Sequence, residues 1–189
     1  MHYIVLDFEW NQPLSEKEMI TEPFPFDSEI IEIGAVKLNE SFHSVDEFKT
    51  FIRPQFYPHM SNAVVQLTKI RPQELEKAPL FPEAFDAFID WCGDDCALCS
   101  WGPDDIPVLL DNMLLHGIPI EPFPYCYDLQ RIFARELLRE NRQCSLSDAV
   151  KMLKLPADRA HDALNDTLNT VRVCERMDLA GCIDEYRTT

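Results

Sequence analysis

The stretch HYIVLDFEW, residues 2–10, reads as a buried strand that carries two carboxylates where packing alone would place none. Side chains alternate across a strand, so Ile4, Leu6 and Phe8 take one face and Val5, Asp7 and Glu9 the other. Asp7 and Glu9 therefore leave the same face together, at the end of an apolar run. Two like charges this close, partly desolvated, raise each other's pKa and cost stability unless something positive sits between them. A divalent cation meets that need. The plain alternative ends the strand at Leu6 and leaves both acids in water.

Working outward, 189 residues with 46% hydrophobic content suffice for one globular domain spanning 1–189. No apolar run approaches the roughly 18 residues of a membrane span, and the first strand leads into acids instead of a cleavage site. Seven cysteines, an odd number scattered through apparent strands and helices, fit reduced thiols. The expectation is a cytoplasmic protein without membrane contact, and no obligate protein partner is evident. Cys92, Cys96 and Cys99 could offer three thiolates to zinc, but an amphipathic helix and a buried strand use such residues as small hydrophobes. A net charge of −16 argues against broad electrostatic capture of nucleic acid. It leaves room for an enzyme that meets a phosphodiester only in a cation-filled cleft.

Residues 11–27 (NQPLSEKEMITEPFPFD) lack periodicity and form a long loop beside the paired acids, either a functional flap or a mobile insertion. Residues 28–38 read as a strand in which Gly34 marks a bulge or a close neighbour, and 42–52 as its hairpin partner. Short helices follow near Val64–Leu67 and from Pro72, then a longer one over 81–91. A buried strand at 97–101 turns through Gly102-Pro103 into a helix over 104–115. A last strand at 125–129 precedes a helix over 129–139. Another helix over 147–153 has Ser147 and Asp148 as candidate caps, and the final strong one runs over about 161–177 with Leu164, Leu168 and Val171 facing inward. Residues 178–189 form a polar C-terminal extension. Strands and helices in this order predict an α/β fold, a mixed sheet of about five strands with helices on both faces.

Two further carboxylates and a histidine stand at informative places. Asp105 in WGPDD follows a buried strand and opens a helix, with Asp104 beside it as a possible substitute. Asp166 lies in the last helix, five residues after His161. Each has an ordinary reading as a helix-end or solvated residue. Together, IVLDFEW, CSWGPDD and RAHDALNDTLNT resemble, in order, the motifs of the DEDD exonuclease superfamily in its histidine branch. The connecting QLTKIRPQELEKAPLFPEAFDAFIDW, residues 66–91, is similar to the subgroup that trims histone messenger and small RNA 3′ ends and to related bacterial exonuclease domains.

The resemblance implies a ribonuclease H-like fold and a 3′–5′ exonuclease acting on 3′ ends of single-stranded RNA or DNA, or on short oligonucleotides, with release of 5′-mononucleotides. It implies two Mg²⁺ or Mn²⁺ ions, with Asp7 bridging both, Glu9 and Asp166 completing the first and Asp105 holding the second. Hard cations at phosphoryl oxygens want carboxylate ligands, not thiolates. His161 is implied as general base, its ordinary pKa leaving it proton-accepting at neutral pH. On an ideal helix five residues turn His161 about 140° from Asp166, so it belongs at or just before the helix mouth. Phe8, Trp10, Leu67 and Thr68 are implied around the terminal base, although Leu67 could equally be core. Two rival roles remain: a proofreading subunit beside a polymerase, and a catalytically silent nucleic-acid-binding regulator.

Overall fold

A computed structural model describes residues 1–186. Its strands are β1 (His2–Asn11), β2 (Glu29–Leu38), β3 (Ser44–Phe51), β4 (Cys96–Ser100) and β5 (Tyr125–Asp128), in the sheet order β3-β2-β1-β4-β5. β1 pairs antiparallel with β2 and parallel with β4, while β2–β3 is antiparallel and β4–β5 parallel. The helices are α1 (Asn62–Thr68), α2 (Pro72–Leu75), α3 (Phe81–Cys92), α4 (Asp105–Leu115), α5 (Leu129–Phe133), α6 (Leu146–Met152), α7 (Ala163–Cys174) and α8 (Leu179–Cys182). This is the mixed five-strand α/β sheet expected. Among the described residues no helix is long and apolar enough to cross a membrane.

The alternation read in β1 divides the core. Ile4, Leu6 and Phe8, with Ala35 and Leu98, pack against α3 and α4. Tyr3 and Val5, with Val36, Cys99 and Tyr127, pack against α5, α6 and α7. Asp7 and Glu9 thus continue the α7 side of the sheet. The register of β1 with β2 slips between Glu9 and Trp10: Glu9 faces Glu32, but Trp10 faces Ile30. The extra residue, Ile31, joins Val64, Ile70 and Leu75 in a small separate core that seats α1 and α2.

Gly34 is the close neighbour and not the bulge. A Cβ built there would lie 2.2 Å from the backbone carbon of Ala163 and the nitrogen of Leu164. The Thr167 hydroxyl shares its one proton between the Ala163 carbonyl at 2.7 Å and the Gly34 carbonyl at 3.1 Å, fastening the first turn of α7 to β2. This contact also corrects the expected inner face of α7. Ala163, Thr167 and Thr170, with Val171 and Cys174, are buried, whereas Leu164 and Leu168 lie only partly covered at the flank. Small side chains are required where helix and sheet backbones touch.

Helix boundaries differ from those expected for local reasons. α7 begins at Ala163 because His161 has φ 61°, outside the helical region, and the Asp162 carboxylate caps the turn by accepting from the Asn165 N–H at 3.2 Å. The cap of α6 is Ser145, not Ser147: its hydroxyl accepts from the Asp148 N–H at 3.2 Å. The helix expected over 129–139 is α5 followed by a π-helical turn, Ala134–Leu138, which ends at Arg139 with φ 56°. The 11–27 loop is pinned at both ends. Asn11 Nδ2 donates to the Tyr57 carbonyl at 2.7 Å, the Tyr57 hydroxyl donates to the Phe26 carbonyl, and Phe26 is buried. Of the 178–189 extension, α8 and a 3₁₀ turn at Ile183–Tyr186 pack on the α7-side core, and 187–189 lie outside the described residues.

Gly34→Ala tests the close seat. We expect a loss of about 1–3 kcal/mol in chemical denaturation, the usual cost of overpacking. A variant as stable as the parent would show that α7 has room to lift.

Candidate active site

β1 delivers Asp7 and Glu9 to a cleft of about 600 Å³ between α1 and the start of α7. Phe8, Trp10, Leu67, Thr68, Asp105, His161 and Asp166 line the same cleft, so every residue singled out in the sequence reaches it. Three chain segments distant in sequence meet there. The carboxylate of Asp105, at the first position of α4, is buried and accepts from the Phe8 N–H at 3.3 Å, tying the second motif to the first. Asp104 also borders the cleft but is solvent-exposed. Asp166 sits in the first turn of α7, and its Oδ2 accepts from the backbone N–H of His161 at 2.7 Å. That bond explains how His161 and Asp166 serve one site despite their helical spacing. His161 lies before the helix, in a left-handed conformation, and its N–H folds back onto the carboxylate.

Ligand atoms of Glu9, His161 and Asp166 lie within 4.8 Å of one another, an arrangement able to hold a metal ion. His161, expected as a base, is thus within ligand range. Asp7 and Asp105 contribute to the surrounding charge from the same cleft. Burial holds the carboxyl of Asp7 well above its ordinary range, with Asp105, Asp166 and Glu9 adding to the shift. Burial, then the facing Glu32, pushes Glu9 to about 8. Burial raises Asp105 to about 7 and also raises Asp166. Hard oxygen donors that crowd one another and make no ion pair with a lysine or arginine suit a divalent cation.

Lys49 of β3 compensates two acids next to these. Its Nζ lies 2.7 Å from Glu32 Oε1 and 2.9 Å from Asp162 Oδ2. Glu32 is buried, directly opposite Glu9 across the sheet, and its other oxygen accepts from the Ala163 N–H at 3.3 Å. Sequence reasoning missed both residues. The signal for Glu32 was an acid inside an otherwise apolar strand, EIIEIGAVKL, the same anomaly that exposed Asp7 and Glu9.

The side chains proposed around a base differ in how free they are. Leu67 is 51% exposed and belongs to the cleft wall, not the core. Trp10 is partly exposed. Phe8 is buried in the α3–α4 core and is only 3% exposed. Thr68 is buried, its hydroxyl donating to the Val64 carbonyl at 3.0 Å and accepting from the Ile70 N–H at 3.1 Å, so its polar group is spent on ending α1. Trp101, Leu146 and Val150 complete the apolar wall and were not foreseen. All seven cysteines are free thiols, and no zinc-like cysteine cluster occurs among the described residues.

The exonuclease family RNase_T matches residues 4–174. The 3′-5′ exoribonuclease 1 of Homo sapiens is 26% identical over 171 residues, which cover 85% of this chain and 49% of that protein. The DNA polymerase III PolC-type of Bacillus cereus is 27% identical over 138 residues, 73% of this chain and 9% of that protein. The nuclease domain of 3′hExo, a DEDDh family member solved bound to rAMP, superposes with a TM-score of 0.81 at 25% identity, covering 96% of this chain and 93% of that one. The likeness establishes the ribonuclease H-like fold. The chain spans about half the length of the exoribonuclease relatives it matches.

The raised carboxyls make cation binding visible without catalysis. Glu9 titrates near 8 when folded against 4.5 ordinarily, so the folded state holds the extra proton. That contribution to stability is complete below about pH 4.5 and is lost as the pH rises through 8. A cation that takes the proton's place should therefore raise the melting temperature more at pH 8 than at pH 5.5. Calorimetry with and without Mn²⁺ at both pH values checks this. An equal rise at both, or none, would contradict it.

Proposed function

The chain belongs to the exonuclease family, in its DEDDh branch, and from that premise we propose that it is a 3′–5′ exonuclease using two Mg²⁺ or Mn²⁺ ions. Its substrate is the 3′-hydroxyl end of single-stranded RNA or DNA, and its products are 5′-mononucleotides. The observation that carries this reading is the convergence of Asp7, Glu9, Asp105, Asp166 and His161 on one cleft with an apolar wall. The rAMP bound to the 3′hExo nuclease domain supports taking that cleft as the seat of one nucleotide.

Asp7, Glu9, Asp105 and Asp166 would hold the cations through carboxylate oxygens. Two ions bound there would neutralise charge growing on the phosphoryl oxygens and lower the pKa of a water, easing its deprotonation to the attacking hydroxide. The His161 imidazole, exposed at the rim, takes the proton that the attacking water gives up. Asp166 keeps the His161 backbone in place through the N–H it accepts, so one residue orders both the ligand set and the base. Trp10, Leu67 and Leu146 cover the face of the terminal base and exclude water from that side. Aromatic and aliphatic contact tolerates all four bases.

A second reading is proofreading beside a polymerase, favoured by the PolC-type match. It predicts the same chemistry on a mismatched DNA 3′ end and co-purification with a polymerase.

Two measurements test the function. End-labelled oligomers should shorten stepwise from the 3′ end with Mg²⁺ or Mn²⁺ and not with EDTA, and a 3′-phosphate should block them. Cuts within a circular single strand that vanish in Asp7→Ala would refute exonuclease action, and no hydrolysis of any oligomer would favour a silent binding protein. In single-turnover assays, His161→Ala should slow cleavage by roughly 10²–10⁴-fold. Cation affinity should change little. Its collapse in parallel would make His161 a ligand instead of a base, and normal cleavage would remove it from the chemistry.

A further inference from the structure

A second cavity, of about 250 Å³, opens on α5 and the π-helical turn, lined by Gln130, Arg131, Arg135, Asn141, Arg142 and Gln143 together with Asp128 and Ala134. Its source is RIFARELLRENR, residues 131–142, which sets Arg131, Arg135, Arg139 and Arg142 within one short stretch of a chain that has 33 acidic and 17 basic residues. Ile132 and Phe133 are fully buried, so this segment turns its apolar side to the core. Arg131 and Arg135, four positions apart, emerge on the opposite side together. The π-helical turn and the left-handed Arg139 then fold residues 141–143 back to form the far wall. π-helical turns of this kind recur at functional sites.

The charges in this cavity are unevenly spent. Arg142 pairs with Glu140 at 2.9 Å, and Arg139 with Glu136 at 3.5 Å. Asp128 is committed to capping α5, accepting from the Arg131 N–H at 3.0 Å. Among the described residues the guanidinium groups of Arg131 and Arg135 make no ion pair, even in so acidic a chain. Planar guanidinium forks beside neutral amide donors match the oxygens of a phosphodiester.

The cavity also adjoins the cleft. The Cys144 carbonyl accepts from Trp101 Nε1 and from Gln130 Nε2, each at 3.1 Å. Trp101 and Ser145 line the cleft, and Gln130 and Gln143 line the cavity. Gln143 and Ser145 flank Cys144, so their Cα atoms are at most about 7 Å apart. The linings of the two sites thus meet along the chain on either side of Cys144.

We propose that this arginine-lined cavity binds the phosphodiester backbone of the single strand, upstream of the nucleotide seated in the cleft. The proposal rests on the exonuclease reading for the polarity of that strand. It gives an acidic protein a confined place to grip its substrate: the cleft takes the 3′ end, and Arg131 and Arg135 take phosphates on the 5′ side. Grip then depends on strand length, because a dinucleotide is too short to fill both.

The test is fluorescence anisotropy with labelled oligouridylates of 2, 4, 8 and 12 nucleotides whose 3′-terminal linkages are phosphorothioates, on the full chain and on R131Q/R135Q. The parent should bind the 8-mer more tightly than the 2-mer. In the double variant that ratio should fall by about tenfold or more, as expected for removing charge-assisted hydrogen bonds. The slope of log affinity against log salt for the 8-mer should shrink by about 1.4, the value for two fewer phosphates neutralised on a single strand. R131K/R135K, which keeps the charge, should keep the salt slope, and equal melting temperatures would exclude a folding defect. An unchanged length ratio and salt slope in R131Q/R135Q would overturn the proposal. Arginine-dependent, length-dependent binding by a parent that cleaves nothing would uphold the cavity and refute the nuclease reading instead.

Discussion

The first turn of α7 lies directly on the backbone of β2, at a point where only a glycine leaves room. From that contact much of the site follows. The Thr167 hydroxyl fixes the helix to the Gly34 carbonyl, Ala163 donates to Glu32, and Asp166 one turn along is brought over the face of β1 that carries Asp7 and Glu9. Because Asp7 pairs with Gly34 across the strands, the closest point between helix and sheet stands beside the first carboxylate of the cleft. A bulkier residue in β2 would hold the third motif away from the first.

That closeness has an electrostatic cost. Four carboxyls of the cleft are all held above their ordinary pKa, chiefly by burial, and Glu32 adds a fifth acid behind them. Lys49 answers Glu32 and Asp162 and makes no ion pair with the four carboxyls of the cleft. Neutralising the supporting acids while leaving the lining acids uncompensated concentrates the demand for a cation at one place. A lysine reaching Glu9 instead would stabilise the fold and compete with the metal.

Much of this was legible in the chain because the anomalies were local. Two acids ending an apolar strand, an acid after a buried strand, and a histidine shortly before another acid each violate simple packing, and all reach one cleft. The strand alternation also predicted which face would carry them. What could not be read depends on contacts between distant segments. Nothing near Gly34 reveals that Ala163 will press against it, and nothing near Lys49 reveals Asp162 as its partner. The inner stripe of α7 departs from Leu164 and Leu168 for the same reason, since helical periodicity ranks side chains by hydropathy while close backbone approach selects for smallness. His161 does stand just before the helix, as its spacing from Asp166 predicted, but the left-handed backbone that holds it there was not legible.

The additional residue in β2 gives the strand an asymmetric tolerance to change in length. Ile31 falls between Glu32, which faces Glu9, and Ile30, which faces Trp10, and its side chain enters the small core beneath α1. Removing one residue here would leave the Gly34 half of β2 in place but advance Ile30 and Glu29, and with them the anchors on Asn112 and on the backbone of 55–57. Adding one beyond Leu38, in the turn before β3, would spare these anchors and shift instead Phe42, whose ring stacks on Tyr3 at 4.5 Å. The base of the hairpin thus acts as a fixed ruler between Glu32, opposite Glu9, and the small core that seats α1.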